Sequence, residues 1–183
     1  WQDGKFVYAA RSGSSWTIFK NDIEISENLA DVYEMKINAK GSICAFLVRL
    51  QSGKETGMTI SDEYYEPLMG KNYDMVANLR LHPEEPMIAY TAVEEPYTKI
   101  VLNSAEYATS KYSSKPEFSY NGDDLYFLGC DLGCFISING RQYPIKQVVA
   151  PDLQIAKKPN SNTIAYSTNS SMVVLFIENG NMH

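Results

Sequence analysis

Three cysteines and one internal histidine are the side chains of this sequence best suited to covalent or metal chemistry. Cys130 and Cys134 enclose the short turn Asp-Leu-Gly, and a hairpin of that length can bring two sulfur atoms within bonding range. Free thiols are the alternative interpretation. A zinc site would need two further ligands, and the nearest choices, Cys44 and His82, belong to other parts of the sequence. Cys130 and Cys134 are therefore a candidate local disulfide, and no metal site is predicted.

The histidine and the acidic residues do not form a catalytic pattern. His82 is followed by a proline, which is typical of a turn at the end of a strand, and the sequence contains no Gly-x-Ser-x-Gly nucleophile motif. Glycosidases need two carboxylates that face each other, and calcium loops need alternating oxygen ligands. The acidic residues instead occur as adjacent pairs, which are Asp62-Glu63, Glu84-Glu85, Glu94-Glu95 and Asp123-Asp124. We therefore expect no catalytic residue, no cofactor and no enzymatic activity.

Tyrosine is abundant, with thirteen copies in the chain. Some of these residues end apolar segments and are expected to pack in the interior. Others fall in predicted turns or outer strands, where a tyrosine can contact a partner because it offers a large apolar ring with a polar tip. The candidates for exposed aromatic contacts are Tyr64, Tyr65, Tyr97 and Tyr112.

The charge balance excludes two classes of partner. The 183 residues carry 16 Lys and Arg against 22 Asp and Glu, a formal net charge of −6, and the isoelectric point is near 4.9. Nucleic acids and anionic membrane surfaces attract clustered basic residues, so neither is expected as a partner. The longest apolar run, residues 172–177, is much shorter than the roughly 20 residues that a membrane span needs. No feature of the sequence assigns a cellular compartment.

A pattern of short segments recurs along the whole chain and defines the elements that position these side chains. Apolar segments with aromatic ends finish at positions 8, 46, 90, 127 and 166, at spacings of 38, 44, 37 and 39. A second apolar run and a turn follow each segment, and an alternating apolar-polar stretch precedes four of the five. Alternation with a period of two indicates half-buried strands, and Asn139-Gly140 predicts a tight hairpin.

Each unit therefore contains up to four short strands within about 40 residues, which is typical of one blade of a β-propeller. A single thin sheet cannot bury its own faces and must stack on its neighbours. A β-sandwich also has frequent turns, but it would not explain why the same order of segments recurs. We predict an all-β, β-propeller-like domain of about five four-stranded antiparallel units. Their approximate ranges are 1–27, 28–70, 71–110, 111–148 and 149–183.

The first and last units are expected to be incomplete. The first begins at its second strand, and the last ends before a fourth strand, so we expect the chain to be part of a larger propeller. Unpaired strands at the edges of the sheets would favour self-association, and a homo-oligomer is therefore a candidate assembly.

One stretch carries a resemblance to a known repeat family. Residues 115–127 resemble the WD-repeat-like blade motif of the TolB type, in which a proline, an aromatic residue, a serine and a turn glycine precede an apolar-aromatic segment. The matching positions are Pro116, Phe118, Ser119, Gly122, Leu125 and Phe127, and four degenerate copies accompany them elsewhere in the chain. The resemblance implies a propeller fold with a protein-binding or ligand-binding role.

Three functions follow as hypotheses. The first is a non-catalytic binding or scaffold propeller that mediates protein–protein interaction. The second is the substrate-gating propeller of a larger hydrolase, as the architecture of the prolyl oligopeptidase family would imply. The third is a carbohydrate-binding propeller that uses exposed aromatic side chains. A protein partner is the principal expectation.

Overall fold

All regular structure in the described part of the chain is β-strand. The computed structural model describes residues 6–63, 66–145, 155–157, 163–167, 172–178 and 181–182. The strands are β1 (Val7–Ser12), β2 (Ser15–Lys20), β3 (Ile23–Ile37), β4 (Ile43–Leu50), β5 (Glu55–Ser61), β6 (Leu68–Met69), β7 (Met75–Leu81), β8 (Ile88–Glu94), β9 (Tyr97–Leu102), β10 (Ala105–Ser110), β11 (Tyr112–Ser113), β12 (Glu117–Phe118), β13 (Leu125–Cys130), β14 (Cys134–Ile138), β15 (Arg141–Ile145), β16 (Ile155–Lys157), β17 (Thr163–Ser167), β18 (Met172–Glu178) and β19 (Asn181–Met182).

The strands form four antiparallel sheets in which sequence neighbours pair with one another. The first sheet has the order β1-β2-β3-β4-β5-β6, and the second has the order β10-β9-β8-β7. In the third, β11 and β12 both pair with β13, which continues through β14 to β15. The fourth has the order β16-β17-β18-β19. The prediction of an all-β chain of successive antiparallel sheets is confirmed.

The same hydrogen-bonding arrangement of an asparagine closes three of the hairpins. In the turns β2–β3, β9–β10 and β14–β15, an asparagine adopts a left-handed conformation with φ between 50° and 54°. Its side-chain oxygen accepts a hydrogen bond from a backbone N–H at the start of the neighbouring strand, and its own N–H donates to the carbonyl of that same residue, at 2.8–3.0 Å. The pairs are Asn21 with Phe6, Asn103 with Ile88 and Asn139 with Leu125. Asparagine suits this place because it tolerates positive φ and supplies an acceptor.

A second arrangement closes the turns that precede the second strand in three of the units. Three residues of different type use one side-chain acceptor to bind backbone N–H groups of the turn. Asn38 Oδ1 accepts from the N–H groups of residues 42 and 43, His82 Nδ1 from those of residues 84 and 85, and Ser119 Oγ from that of residue 124. The two degenerate copies at Asn38 and His82 therefore retain the hydrogen bonding of the sequence motif although they lose its residue types.

The second strand of each inner unit is buried on both faces. In β4, Phe46 belongs to a cluster with Val7 and Ile18 of the first two strands, whereas Leu47 belongs to a cluster with Tyr90 of the second sheet. The strand β13 repeats this alternation between the second and fourth sheets. Four such clusters separate five stacked layers. The first layer is formed by β1, β2 and the first half of β3, and the second by the second half of β3 with β4–β6. The second, third and fourth sheets form the other three layers.

The first two predicted units share a strand. The strand β3 pairs with β2 through residues 23–29 and with β4 through residues 29–37, and the predicted boundary between 27 and 28 falls inside it. Asn28 has a φ of 58°, and the register shifts on both sides of this residue. Irregularities of this kind bend a strand, so that one hydrogen-bonded sheet contributes two packed layers.

The last layer is more complete than the sequence predicted. The two-residue strand β19 pairs with β18 and supplies the fourth strand that we expected to be missing. Two residues are too few to produce an alternating pattern, and the sequence therefore does not reveal this strand. Among the residues that the structure describes, β1 of the first layer pairs only with β2. The described residues therefore place no strand on the other side of β1.

Three glycines allow the turn packing between layers to be tested. Gly122 has a φ of +87°, and a Cβ atom at this position would lie 2.1 Å from His82 Nε2. Gly13 has a φ of +61° but open space around it, and Gly133 has open space without a positive φ. We expect Gly133→Ala to change the free energy of unfolding by less than about 0.5 kcal/mol and Gly13→Ala to lower it by about 1–2 kcal/mol. Gly122→Ala should lower it further, because strain and collision with His82 combine.

Urea denaturation of the three variants would measure this order. If Gly13→Ala and Gly122→Ala lower the free energy of unfolding equally, the contact between His82 and the turn at Gly122 does not hold the second and third sheets together.

Candidate functional site

The hairpins that join the second and third strands of the first four layers lie at one end of the stack. In the first four layers they comprise residues 12–15, 50–55, 94–97 and 130–134. We name this surface the hairpin end. The starts of the first strands β7 and β11 lie there as well, because Met75 pairs with Val93 and Tyr112 pairs with Cys130.

Large apolar side chains are exposed at the hairpin end, among them Met75 at the start of β7. Tyr97 is 49% exposed, Tyr112 is 50% exposed, and Leu132 at the tip of its hairpin is fully exposed. The strand β11 contacts β9, so Tyr97 and Tyr112 lie on adjacent elements of neighbouring layers. The other two candidate tyrosines, Tyr64 and Tyr65, lie outside the described residues. The described part of the surface thus carries two exposed tyrosines, one on each of two neighbouring layers, and an apolar hairpin tip.

The hairpin that carries Leu132 is held by a disulfide. Cys130 and Cys134 pair directly across β13 and β14, and their sulfur atoms are bonded at 2.02 Å. The Asp131 carboxylate accepts a hydrogen bond from the backbone N–H of Lys111 at 2.5 Å, which ties the hairpin to the start of β11. The Lys111 ammonium lies 5.7 Å from the centre of the Tyr112 ring, within the range of a cation–π contact. The hairpin and Tyr112 are therefore positioned together.

The other residues considered for metal chemistry have structural surroundings. Cys44 is buried within β4, and burial raises the pKa of its thiol to about 12. His82 is also buried, and its Nε2 atom lies 3.1 Å from the carbonyl oxygen of Gly122 while its ring packs edge-on against Phe118. Among the described residues, no three histidine, cysteine or acidic side chains are grouped as metal ligands.

The adjacent acidic pairs make contacts that support the fold. Asp124 accepts a hydrogen bond from the side-chain amide of Asn139 at 2.7 Å. Glu94 pairs with Lys99 across its hairpin, and Glu84 lies 3.4 Å from Lys40 of the preceding layer. These contacts give Asp124, Glu94 and Glu84 structural partners, and the expectation of a non-catalytic domain remains a prediction.

A buried carboxylate lies beneath the hairpin end. The side chain of Glu55, at the start of β5, is 5% exposed. It accepts hydrogen bonds from the hydroxyl of Tyr33 at 2.7 Å, from the backbone N–H of Val76 at 2.8 Å and from the guanidinium of Arg49 at 2.8 and 2.9 Å. One carboxylate thus connects β3, β4 and β5 of the second layer to β7 of the third.

These contacts shift the pKa values of Glu55 and Tyr33. Burial by itself raises the pKa of Glu55, but the hydrogen bonds from Tyr33, Val76 and Arg49 favour the charged form more strongly, and the net pKa is lowered. Burial and the hydrogen bond to Glu55 together raise the pKa of Tyr33. Glu55 is therefore a charged structural group at neutral pH. The sequence did not indicate it, because a glutamate next to a lysine in a turn resembles an exposed residue.

Charged pairs lie at the hairpin end and along β9. Lys54 contacts Asp74 at 2.5 Å, and Lys99 contacts both Glu94 and Glu106. Exposed pairs of this type add little stability. They keep the rim of the hairpin end polar, and a polar rim around apolar side chains is the usual anatomy of a protein interface.

No protein-family model matches the chain, and no curated protein matches it. Among solved structures, one described as the eukaryotic initiation factor has a TM-score of 0.59 and 11% identity, over 98% of this chain and 52% of that one. TolB from Acinetobacter baumannii has a TM-score of 0.49 and 10% identity, over 98% and 51%. The β-propeller domain of the Trilobed protease from Pyrococcus furiosus has a TM-score of 0.49 and 11% identity, over 92% and 71%.

The chain spans about half the length of the first two of these proteins. At such identities the likeness concerns the fold alone. The stacked antiparallel sheets of the chain are the architecture of a β-propeller, and the fold is β-propeller-like. No helix among the described residues is long and apolar enough to cross a membrane.

The buried carboxylate yields a prediction about pH. Because the pKa of Glu55 is lowered in the folded state, its stabilising effect is present above its unfolded pKa of about 4.3 and is lost as the pH falls through the folded value. We expect Glu55→Gln to lower the free energy of unfolding at pH 7 by about 1–3 kcal/mol. The NH2 group of glutamine is itself a donor, and it would face the donors that the carboxylate now accepts from. The difference in the free energy of unfolding between the variant and the unmodified chain should become smaller below about pH 4.

Glu24→Gln, at an exposed position of β3, is the control and should have little effect at any pH. Denaturant unfolding of the three proteins between pH 3 and pH 7 provides the measurement. A constant difference across this range would mean that the charge of Glu55 does not stabilise the fold.

Proposed function

We propose that the chain is a non-catalytic binding domain that holds another protein at its hairpin end. The observation that supports this function is the placement of half-exposed Tyr97 and Tyr112 on adjacent elements of neighbouring layers, beside the exposed Leu132. Aromatic side chains at the centre of an interface provide much of its binding energy, because they bury a large area with few rotatable bonds. The disulfide and the contact between Asp131 and Lys111 hold this surface before a partner arrives, which reduces the entropy lost on binding.

We also propose that the layers are repeats of the TolB type. The motif at residues 115–127 supports this assignment, together with the shared hydrogen-bonding position of Asn38, His82 and Ser119.

A carbohydrate ligand is the second candidate, because exposed tyrosines also stack on sugar rings and both Tyr97 and Tyr112 are accessible. The substrate-gating function within a larger hydrolase remains a hypothesis from the sequence alone.

A paired-variant capture experiment tests the proposed function. The immobilised chain is compared with the double variant Tyr97→Ser/Tyr112→Ser in a lysate of the source cells, and bound proteins are quantified by mass spectrometry. We expect the specific partner to be reduced at least about tenfold, since loss of two central aromatic contacts removes more than about 1.4 kcal/mol of binding free energy. Tyr120→Ser is the matched control, because Tyr120 is 56% exposed but lies in the turn between β12 and β13, at the opposite end.

A glycan array with the same three proteins separates the two candidates. If the unmodified chain binds glycans and the double variant does not, the ligand of the hairpin end is a carbohydrate and not a protein. Equal capture of proteins by the double variant and by the unmodified chain would contradict a binding role for the hairpin end.

A further inference from the structure

The disulfide at the hairpin end lies at a position where no backbone hydrogen bond joins its two residues. The N–H of Asp131 donates to the carbonyl oxygen of Gly133 at 3.0 Å. Hydrogen-bonded and non-hydrogen-bonded pairs alternate along two antiparallel strands, so the next pair, Cys130 with Cys134, is a non-hydrogen-bonded one. The bond between the two sulfur atoms is therefore the direct link between β13 and β14 at this pair.

The rest of the hairpin has other support. Four further residue pairs join β13 to β14. Leu128 and Ile136, which form one of these pairs, are fully buried in the cluster between the third and fourth sheets. Disulfides stabilise a fold more when they close longer loops, and this one joins residues with a sequence separation of only 4. We therefore expect the stack to stay folded when the disulfide is reduced.

The segment that the disulfide holds is the hairpin tip, residues 131–133. All three residues are exposed, and Leu132 is fully so. The Asp131 carboxylate accepts the hydrogen bond from the N–H of Lys111. Without the sulfur–sulfur bond the tip can move relative to β13, and the hydrogen bond to Lys111 is then formed only part of the time. The order of the tip therefore depends on the disulfide.

The two bonded cysteines differ in how well a reductant can reach them. Cys130 is 6% exposed and belongs to the buried cluster, whereas Cys134 is only partly buried against it. Thiol–disulfide exchange begins when a thiolate attacks one sulfur atom, and access helps to decide which one. We therefore expect attack at Cys134. The third cysteine, Cys44, is buried in β4 of the second layer, away from this pair.

We propose that the Cys130–Cys134 disulfide is a site of reversible thiol–disulfide exchange, at which a dithiol releases the hairpin tip while the stack stays folded. A thiolate of the dithiol attacks Cys134 Sγ, the sulfur–sulfur bond breaks, and Cys130 Sγ leaves and takes up a proton. The second thiolate of the dithiol then attacks the reductant sulfur that is bound to Cys134, and Cys134 Sγ leaves as a thiol. Two electrons and two protons thus pass to the protein, and the dithiol becomes a disulfide.

The exchange acts on the surface that we propose for protein binding. Leu132 lies at the hairpin end, and a mobile tip presents this side chain in many positions. A partner must then order the tip when it binds, which costs conformational entropy. The oxidised chain is therefore the form that binds better. This consequence rests on the proposed function, whereas the exchange itself does not.

Native-state labelling tests the exchange, with Cys44 as an internal reference. The folded full chain is incubated with dithiothreitol, and its thiols are alkylated with iodoacetamide and counted by intact mass. We expect two labelled cysteines per chain, because Cys44 stays buried while the stack is folded. With glutathione, a monothiol, peptide mapping should locate the mixed disulfide at Cys134. Oxidised glutathione should restore the disulfide once dithiothreitol is removed.

Hydrogen exchange measures what reduction releases. We expect the N–H groups of Lys111 and Asp131 to exchange at least about tenfold faster in the reduced chain, because their acceptors belong to the tip. The N–H of Leu128 donates to Ser114 Oγ at 2.9 Å within the folded stack. Its exchange rate should be the same in both forms.

Two variants complete this measurement. The double variant Cys130→Ser/Cys134→Ser should match the reduced chain with or without dithiothreitol. Gly133→Ala is the matched control, because a Cβ atom at this tip position meets open space, and it should match the unmodified chain in both forms. If the double variant does not fold, the reduced unmodified chain carries the test.

Three results would overturn the proposal. Labelling of all three cysteines would mean that reduction requires unfolding of the stack. A disulfide that dithiothreitol does not reduce in the folded chain would exclude exchange. Unchanged hydrogen exchange at Lys111 and Asp131 after reduction would mean that the disulfide does not order the tip.

Protein capture tests the effect on binding separately. We expect the Cys130→Ser/Cys134→Ser chain to capture at least about threefold less of the specific partner than the unmodified chain. Equal capture by these two proteins, where Tyr97→Ser/Tyr112→Ser loses the partner, would overturn the effect on binding alone. Failure of the proposed function is a different result, since Tyr97→Ser/Tyr112→Ser would then capture as much as the unmodified chain.

Discussion

The need to cover both faces of every thin sheet organises this molecule. The second strands β4 and β13 alternate their side chains between two clusters, so that residues next to each other in sequence pack on different neighbouring layers. Burial of apolar area is the main favourable term in folding, and here it is available only between layers. Each layer is therefore stable through its neighbours, and the turns and hairpins that emerge at the two ends are positioned by the stack rather than by contacts of their own.

Polar contacts between layers fix the relative position that apolar packing alone leaves free. Glu55 joins the second layer to the third, and Arg80 binds Glu117 of the fourth layer at 2.7 and 2.8 Å. His82 meets the turn at Gly122 near the same boundary. Hydrophobic contacts are not directional, whereas hydrogen bonds from buried groups are lost when two layers slide past each other. These contacts set the register of the stack and, with it, the position of β9 relative to β11.

The repeated strands and several turns could be predicted from the sequence, because periodic side-chain patterns and turn residues act over short distances. The hairpin predicted at Asn139-Gly140 is confirmed, with φ values of 50° and 82°. The roles of Glu55 and His82 could not be predicted. Their partners are far away in sequence, and the position of His82 corresponds to an asparagine and a serine in other layers, which share only an acceptor atom. The continuous strand β3 was also missed, since its bend at Asn28 has the composition of a turn.

Two apolar surfaces border the first layer, one on its outward face and one on the second layer, and they differ in what can cover them. On the outward face, the rings of Phe6 and Phe19 stack on Tyr8, with centroid distances of 5.8 and 5.0 Å, and so cover part of one another. Met35 and Ile37 lie beside a strand edge whose N–H and C=O groups also need partners. A flat apolar surface could cover the two side chains but could not bind the backbone of β1. An extended segment satisfies both requirements, because its side chains cover Met35 and Ile37 while its backbone pairs with the edge of β1.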